Sequence, residues 1–321
     1  MSTSVNAILL AAGLGTRLRP LTLKYPKPCV PFLNVPMGLY QFRFLEHIQV
    51  DRLVVNTFHL PEQIEKLFKS QPYFNGPVSF SHESPIILGN GGGLKKASAQ
   101  MDLTKPILMM NADEIYLTQD KTFLKRALDQ HIAHKNLATL VVMKHQGAGT
   151  KFGAIWADGE KVETIMAAKT SPQNKNFRPW HYIGALFIEP EVIANIPDNK
   201  ELNIFYDVII HELPKNRVEI CTLECEWFET GNPTDYLNAT QQVMQKLDAE
   251  LLAFISQFDS SHVIESNYSK SLISTQVKVA AENLTGFNVI ARSANLNQSS
   301  KIKDSVLFDS EIINAEYFTK N

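Results

Sequence analysis

Val5-Asn6-Ala7-Ile8-Leu9-Leu10 runs directly into Ala11-Ala12-Gly13-Leu14-Gly15-Thr16-Arg17-Leu18-Arg19-Pro20-Leu21-Thr22, and Pro26-Lys27-Pro28 follows. The apolar run has the length and composition of a buried strand. The loop after it suits phosphates. Gly13 and Gly15 let the backbone turn and bring its N–H groups near a polyphosphate, Thr16 adds a hydroxyl, and Arg17 and Lys27 bring positive charge. It is not a P-loop, because no glycine-lysine-serine/threonine ending follows, and not a dinucleotide fingerprint, because Leu18 stands in the third glycine's place. A glycine-rich turn with surface cations is the plain alternative.

Beyond the loop, Leu53 to Asn56, Val78 to Ser81 and Ile107 to Met110 read as further buried strands. Helical patterns lie between them: Pro61 opens one with Ile64, Leu67 and Phe68 on one face, and Thr122 to His134 carries Phe123, Leu124, Ala127 and Leu128. This alternation predicts an α/β fold with a doubly wound, Rossmann-like, mixed but mainly parallel sheet. Strands then follow more closely (Thr139 to Met143, Gly153 to Trp156, Ile183 to Ile188), predicting a mixed portion that walls a ligand crevice at the strands' carboxyl ends. One long amphipathic helix from Pro233 to about Phe258 is expected to close a domain of residues 1–258. His131 and His134 lie in a charged, polar pattern that suits a solvated surface.

The tail changes period. Leu284, Ile290, Leu296, Ile302 and Phe308 recur at six-residue spacing, which predicts a short C-terminal left-handed β-helix-like domain over residues 259–321. An irregular β-hairpin is its alternative.

Bulk composition narrows the function classes. The 321 residues are 44% hydrophobic and 20% charged, ordinary for a folded domain, and the formal charge of −2 gives no field that would favour nucleic acid. The first residues lack a basic stretch before their short apolar run, so no signal peptide, membrane span or membrane partner is expected, and a cytoplasmic location is. Three cysteines cannot all pair, and Cys221 and Cys225 lack further zinc ligands, so buried thiols are expected.

The phosphate loop resembles the signature of the sugar nucleotidyltransferase, or NDP-sugar pyrophosphorylase, family. Further segments agree in order. Glu83 with Leu88-Gly89-Asn90-Gly91-Gly92-Gly93 is similar to the family's nucleobase loop, Asn111-Ala112-Asp113 to its metal motif, and Trp227 through Tyr236 to its last active-site motif. Phe152-Gly153, Lys169 and Gly184 resemble its sugar-side elements. The chain departs from the pattern at Ala112 (usually glycine), Ala168 (often glutamate) and Glu229 (usually aspartate).

The resemblance implies a nucleotidyltransferase domain that binds a nucleoside triphosphate and a sugar 1-phosphate. Leu10, Ala11, Ala12, Gly13, Gly15, Thr16, Arg17, Lys27, Glu83, Gly92 and Asn111 are the implied nucleotide-binding residues, and Gly153, Lys169 and Gly184 the sugar-binding ones. Arg17, Lys27, Asp113 and Lys169 are the implied catalytic residues. Mg2+ is the implied cofactor, held by Asp113 and Glu229. Asp113 follows an apolar strand, a position suited to oxygen ligation, although an aspartate there also caps helices. Lys169, without the resemblance, is a surface lysine. Similarity to tailed mannose-1-phosphate guanylyltransferases points to guanosine and mannose, with uridylyl transfer to an amino-sugar phosphate as the alternative. The three departures leave open a non-catalytic, nucleotide-sugar-sensing subunit. A homo-oligomer, most simply a dimer braced by the tail, is expected.

Overall fold

A computed structural model of the chain describes residues 4–71, 74–267, 269–296 and 299–317. The chain separates into two compact units, one of Met1–Leu14 with Gln41–Trp227, the other of Gly15–Tyr40 with Phe228–Asn321.

The first unit is built on a nine-stranded sheet. Its order is Val78–His82, Gln49–Thr57, Ser4–Leu10, Ile107–Asn111, Arg178–Ile188, Ala138–Met143, Val218–Thr222, Lys161–Met166 and Ala154–Asp158. The first four strands are mutually parallel. Arg178–Ile188 runs antiparallel to both neighbours, and the far strands pair antiparallel except for Ala138–Met143 with Val218–Thr222. The expected α/β architecture with a mixed sheet is present, but the sheet is not mainly parallel, since its parallel pairings are confined to the first four strands and to Ala138–Met143 with Val218–Thr222. The reason is the long strand Arg178–Ile188, of which sequence patterning caught only the last half.

Ile8, Val54, Ile107, Met109, Leu140 and Leu186 belong to one buried cluster on this sheet. Each side chain of this size contributes about 1.5–3 kcal/mol on burial, so strands that read as unbroken apolar runs are held from both faces. Helix Pro61–Lys69 begins with proline in its first turn and buries Ile64 and Phe68. Helix Phe123–Ala133 buries the four expected apolar residues and also His131. The solvated-surface expectation therefore fails for His131, whose ring lies against Thr139 Oγ1 (Nδ1, 2.9 Å) and Glu189 Oε1 (Nε2, 3.1 Å). Polar partners on neighbouring elements make burial of an imidazole tolerable. His134 is exposed, as expected.

In the second unit, residues 15–40 form short turns whose side chains meet the later segment. Tyr236 is fully buried, donates to the Pro31 carbonyl at 2.6 Å and packs edge-on against Phe32. The expected single helix to Phe258 is two helices, Pro233–Gln245 and Ala249–Ser256. Asp248 divides them, since its side chain accepts the Leu251 N–H at 2.8 Å and caps the second helix.

The tail is a five-stranded sheet in the order Ser261–Ser266, Ser269–Ser274, Leu284–Ile290, Ile302–Phe308, Glu311–Ile313. Its three central strands are parallel, Leu272 beside Val289 and Val289 beside Val306, and both edge strands are antiparallel. Leu284, Ile290 and Ile302 share one buried cluster with Leu296 packed against it, so these positions at six-residue spacing mark the core of the tail, while Phe308 is buried outside that cluster against Tyr25.

All three cysteines are free; Cys221 is buried and the other two are half-buried. Among the described residues no helix is long and apolar enough to cross a membrane.

Candidate active site

In the first unit, strand Ser4–Leu10 lies between Gln49–Thr57 and Ile107–Asn111, and side chains from these neighbours organise its carboxyl end. Asn56 Oδ1 accepts the Ala11 N–H at 2.6 Å, and Asn56 Nδ2 donates to Glu83 Oε1 at 2.8 Å. The second Glu83 oxygen accepts the Leu88 N–H at 2.6 Å. Glu83 thus joins two loops expected on the nucleotide side. Burial holds its carboxyl above the ordinary carboxylate range, against the opposing pull of the Leu88 and Asn56 hydrogen bonds. Gly92 is buried in helix Gly89–Ser98, where a Cβ would run into the Lys200 carbonyl oxygen; the segment Lys200–Leu202 crosses there only because the position is glycine.

Asp113 sits half-buried in the turn after strand Ile107–Asn111. Ala112 beside it is fully buried and its N–H donates to the Leu10 carbonyl at 3.1 Å, so its methyl group packs inward. Of the residues expected on the sugar side, Gly184 is buried, Lys169 is exposed with a φ of 63°, and a Cβ on Gly153 would lie 3.0 Å from the Tyr206 hydroxyl. The Lys169 N–H donates to Gly149 at 3.2 Å, which fixes its backbone.

The rings of His145, Phe152, His181 and Trp227 pack together, with centroids 4.4 Å apart for His181 and Trp227. Burial, then the neighbouring His145, pushes His181 down to about 4, so it is a neutral ring at ordinary pH.

The second unit carries Arg17 and Lys27. Thr16–Leu18 is a single tight turn closed by Leu18 N–H to Gly15 at 2.9 Å, and Thr22 Oγ1 donates to the same carbonyl at 2.8 Å. Lys27 opens a second turn and is half-buried. The Arg17 side chain is 71% exposed and its guanidinium lies 3.9 Å from Glu229 Oε1, which also accepts the Gly231 N–H at 3.1 Å. Gly13 and Thr16 are exposed, while Leu10 and Gly15 are partly covered and Ala11 and Ala12 are buried, so this stretch offers mainly backbone. The expected set is therefore linked within each unit: Ala11 with Glu83 through Asn56, and Arg17 with Glu229.

Asn56 and Glu114 are not among the expected site residues, and Trp227 is expected only as the first residue of the last active-site motif. Glu114 accepts from both Asn111 and Trp227. Asn56 had one signal, a polar side chain ending an apolar strand. Glu114 had one too, a second carboxylate directly after Asp113.

The sequence matches the family model described as nucleotidyl transferase over residues 6–246. A mannose-1-phosphate guanyltransferase of Kluyveromyces lactis is 32% identical over 76% of this chain and 66% of that protein. A UTP--glucose-1-phosphate uridylyltransferase of Synechocystis is 27% identical over 75% of this chain and 64% of its own length. The chain thus spans just under two thirds of these relatives. Among solved structures, a UDP-glucose pyrophosphorylase complexed with UDP-glucose superposes with a TM-score of 0.63 at 17% identity, covering 77% of this chain and all of that one. HddC from Yersinia pseudotuberculosis superposes with a TM-score of 0.57 at 22% identity, covering 74% of this chain and 99% of that one. These superpositions support the fold.

Proposed function

The chain belongs to the nucleotidyl transferase family, and on that footing we propose that it joins a nucleoside triphosphate to a sugar 1-phosphate with release of pyrophosphate. One observation carries this: the family match spans the phosphate loop, the Asp113 turn and the Trp227–Tyr236 motif together.

The chemistry is an in-line displacement. A phosphate oxygen of the sugar 1-phosphate forms a bond to the α-phosphorus, and the bond to the pyrophosphate oxygen breaks. The attacker is already an anion, so no general base is needed. The protein's task is to hold two repelling anions in line and offset charge on the transferring and leaving oxygens. In this proposal the backbone from Gly13 to Thr16 and the Arg17 guanidinium hold the leaving phosphates. Lys27 serves the α-phosphate, and Lys169 the sugar phosphate. Glu83, through Asn56 and the Leu88 loop, shapes the nucleobase side with Gly92 and Asn111, while Gly153 and Gly184 line the sugar side.

The donor chemistry of Asp113 and Glu229 fits Mg2+. Both offer carboxylate oxygens, the hard ligands this ion prefers, and the 16%-exposed Glu229 side chain is held by the Gly231 N–H. These two residues would hold the ion, which when bound offsets negative charge on phosphate oxygens.

Guanosine and mannose are the proposed base and sugar, supported by the yeast relatives at 31–32% identity. Uridylyl transfer, to an amino-sugar phosphate in the alternative above, competes because the Synechocystis relative is named for UTP. Pyrophosphate release from four triphosphates against several sugar phosphates decides. GTP with mannose 1-phosphate is expected to turn over fastest; binding of nucleotide sugar without turnover of any pair would instead establish the sensing subunit.

We further propose residues 1–258 as the functional catalytic segment and 259–321 as a left-handed β-helical tail that braces a two-fold dimer. The exposed Ile312 on the edge strand Glu311–Ile313 supports that contact. Light scattering on the full chain and on one ending at residue 259 tests it. A cytoplasmic location is part of the same proposal.

A further inference from the structure

Glu114 sits between the proposed metal carboxylate and the aromatic wall. Its Oε1 accepts from Asn111 Nδ2 at 3.0 Å and its Oε2 from Trp227 Nε1 at 2.7 Å. Its own carbonyl accepts from Gln41 Nε2 at 2.9 Å, and Gln41 Oε1 in turn accepts from the buried Tyr116 hydroxyl at 2.9 Å. Side chain and backbone are thus held independently.

Gly184 makes room for this arrangement. Its φ is 84°, and a Cβ there would lie 2.6 Å from Glu114 Cγ and 3.1 Å from Asn111 Cβ. The position therefore excludes a side chain for two reasons, backbone conformation and the glutamate stem passing beneath it.

We propose that Glu114 is a positioning residue for the transfer reaction, its carboxylate clamping the Asn111–Asp113 turn to the Trp227 indole. The proposal rests on the transferase assignment above. Two acceptor oxygens meet two N–H donors, and a carboxylate serves both with its charge. One oxygen orients the Asn111 amide, two residues before Asp113. The other fixes the indole that packs on His181, with centroids 4.4 Å apart, and on Phe152 at 5.4 Å. The turn that presents Asp113 and the wall beside Gly153 then move together or not at all, which couples metal placement to the sugar side. Bonds to a charged acceptor in a half-buried site are stronger than neutral ones. Direct hydrogen-bond partners of a metal ligand change metal affinity or activity by about 10–100-fold when altered; Glu114 acts on the Asp113 turn through Asn111, so the lower end of that range is expected.

Glu114→Gln is the near-isosteric test. Its amide puts an NH2 group in place of one acceptor oxygen, so either one bond is lost or the Asn111 amide must turn, and the acceptor's charge is removed while volume is kept. The indole N–H resonances provide a readout separate from activity. The Trp156 and Trp180 indole nitrogens are buried without a hydrogen-bond partner, whereas Trp227 donates to a carboxylate and should resonate farthest downfield. In Glu114→Gln that resonance is expected to move upfield, with an unchanged circular dichroism spectrum. The Mg2+ concentration for half-maximal turnover is expected to rise about tenfold. Trp227→Phe should raise it too, and the double variant should be no worse than the more affected single one, because both cut the same connection. In an active enzyme, an unmoved indole resonance, an unchanged Mg2+ dependence or additive effects would overturn the proposal. Wild-type protein without turnover on any substrate pair would overturn the transferase assignment itself, while the indole resonance would still show whether the clamp exists.

Discussion

The Tyr25 hydroxyl donates to a carboxylate oxygen of Asp309 at 2.9 Å, joining the segment after the first strand to the tail across 284 residues of sequence. Beside it, Lys24 Nζ meets Glu311 Oε1 at 2.5 Å, and the Tyr25 ring packs edge-on against Phe308 at 5.3 Å. Burial, followed by the Asp309 bond and charge, pushes the Tyr25 hydroxyl up to about 12, so it stays a donor at ordinary pH. Lys27 lies two residues farther along the same segment.

Tyr25→Phe keeps the ring contact and removes one bond. Unfolding by denaturant is expected to show a loss of about 1 kcal/mol. Turnover is expected to fall severalfold at temperatures where the variant is fully folded, because the loop presenting Lys27 is less well held. Wild-type turnover in the folded variant would show that the loop does not depend on the tail.

Lys27→Ala is expected to reduce turnover about a hundredfold or more while leaving the melting temperature nearly unchanged. A cation aimed at charge that grows in the transition state is worth a few kcal/mol of barrier. Activity near wild type at saturating substrate would remove Lys27 from the reaction.

Asp113→Asn is expected to abolish Mg2+-dependent turnover with the fold intact. Glu229→Asp shortens the side chain by one methylene, about 1.5 Å, and withdraws the oxygen now held by Gly231 N–H and facing Arg17. A raised Mg2+ requirement is expected, because that ion tolerates little distortion of its shell. Identical Mg2+ titrations for Glu229→Asp and wild type would exclude Glu229 as a ligand.

His181 links stability to acidity. Its folded-state pKa of about 4 lies below the ordinary 6.5, so the unfolded chain takes up a proton first as pH falls. Its contribution is complete above pH 6.5 and declines as pH drops toward 4, by up to roughly 3 kcal/mol. Denaturant unfolding at pH 8 and pH 5 should show a smaller difference for His181→Phe than for wild type. Equal differences would mean that His181 is protonated in the folded protein.

The first strand and the glycine-containing turn after it were legible because their demands are local. A strand buried on both faces needs a nearly continuous apolar run, and a tight turn directly after it needs a residue such as Gly15 that takes a positive φ. Glu114 and Asn56 were not legible, because their roles consist of bonds to residues 45 and 113 positions away. His131 misled for the same reason: its helix looks polar in one dimension, but Thr139 and Glu189 complete its face. The division of the late helix was hidden by Val243, Leu247 and Leu251, which keep helical spacing across the break. Only Asp248 marked it, as a side chain able to cap.

Because Tyr25, Phe32 and Tyr40 find their partners in Asp309, Tyr236 and Phe254, synthesis delivers the two halves of this unit far apart in time. At roughly 5–20 residues per second, the interval between Tyr40 and Asp309 leaving the ribosome is on the order of 15–50 s. Until residues 229–254 emerge, the early segment lacks Glu229, Tyr236 and Phe254 as partners, and until residue 311 emerges it still lacks Asp309 and Glu311. A nascent chain in this interval is a client for chaperones and a partner for premature association with its neighbours on the same message. Pulse-labelled chains should accordingly gain protease resistance at residues 15–40 late, once residue 311 has emerged, well after the first four parallel strands are protected.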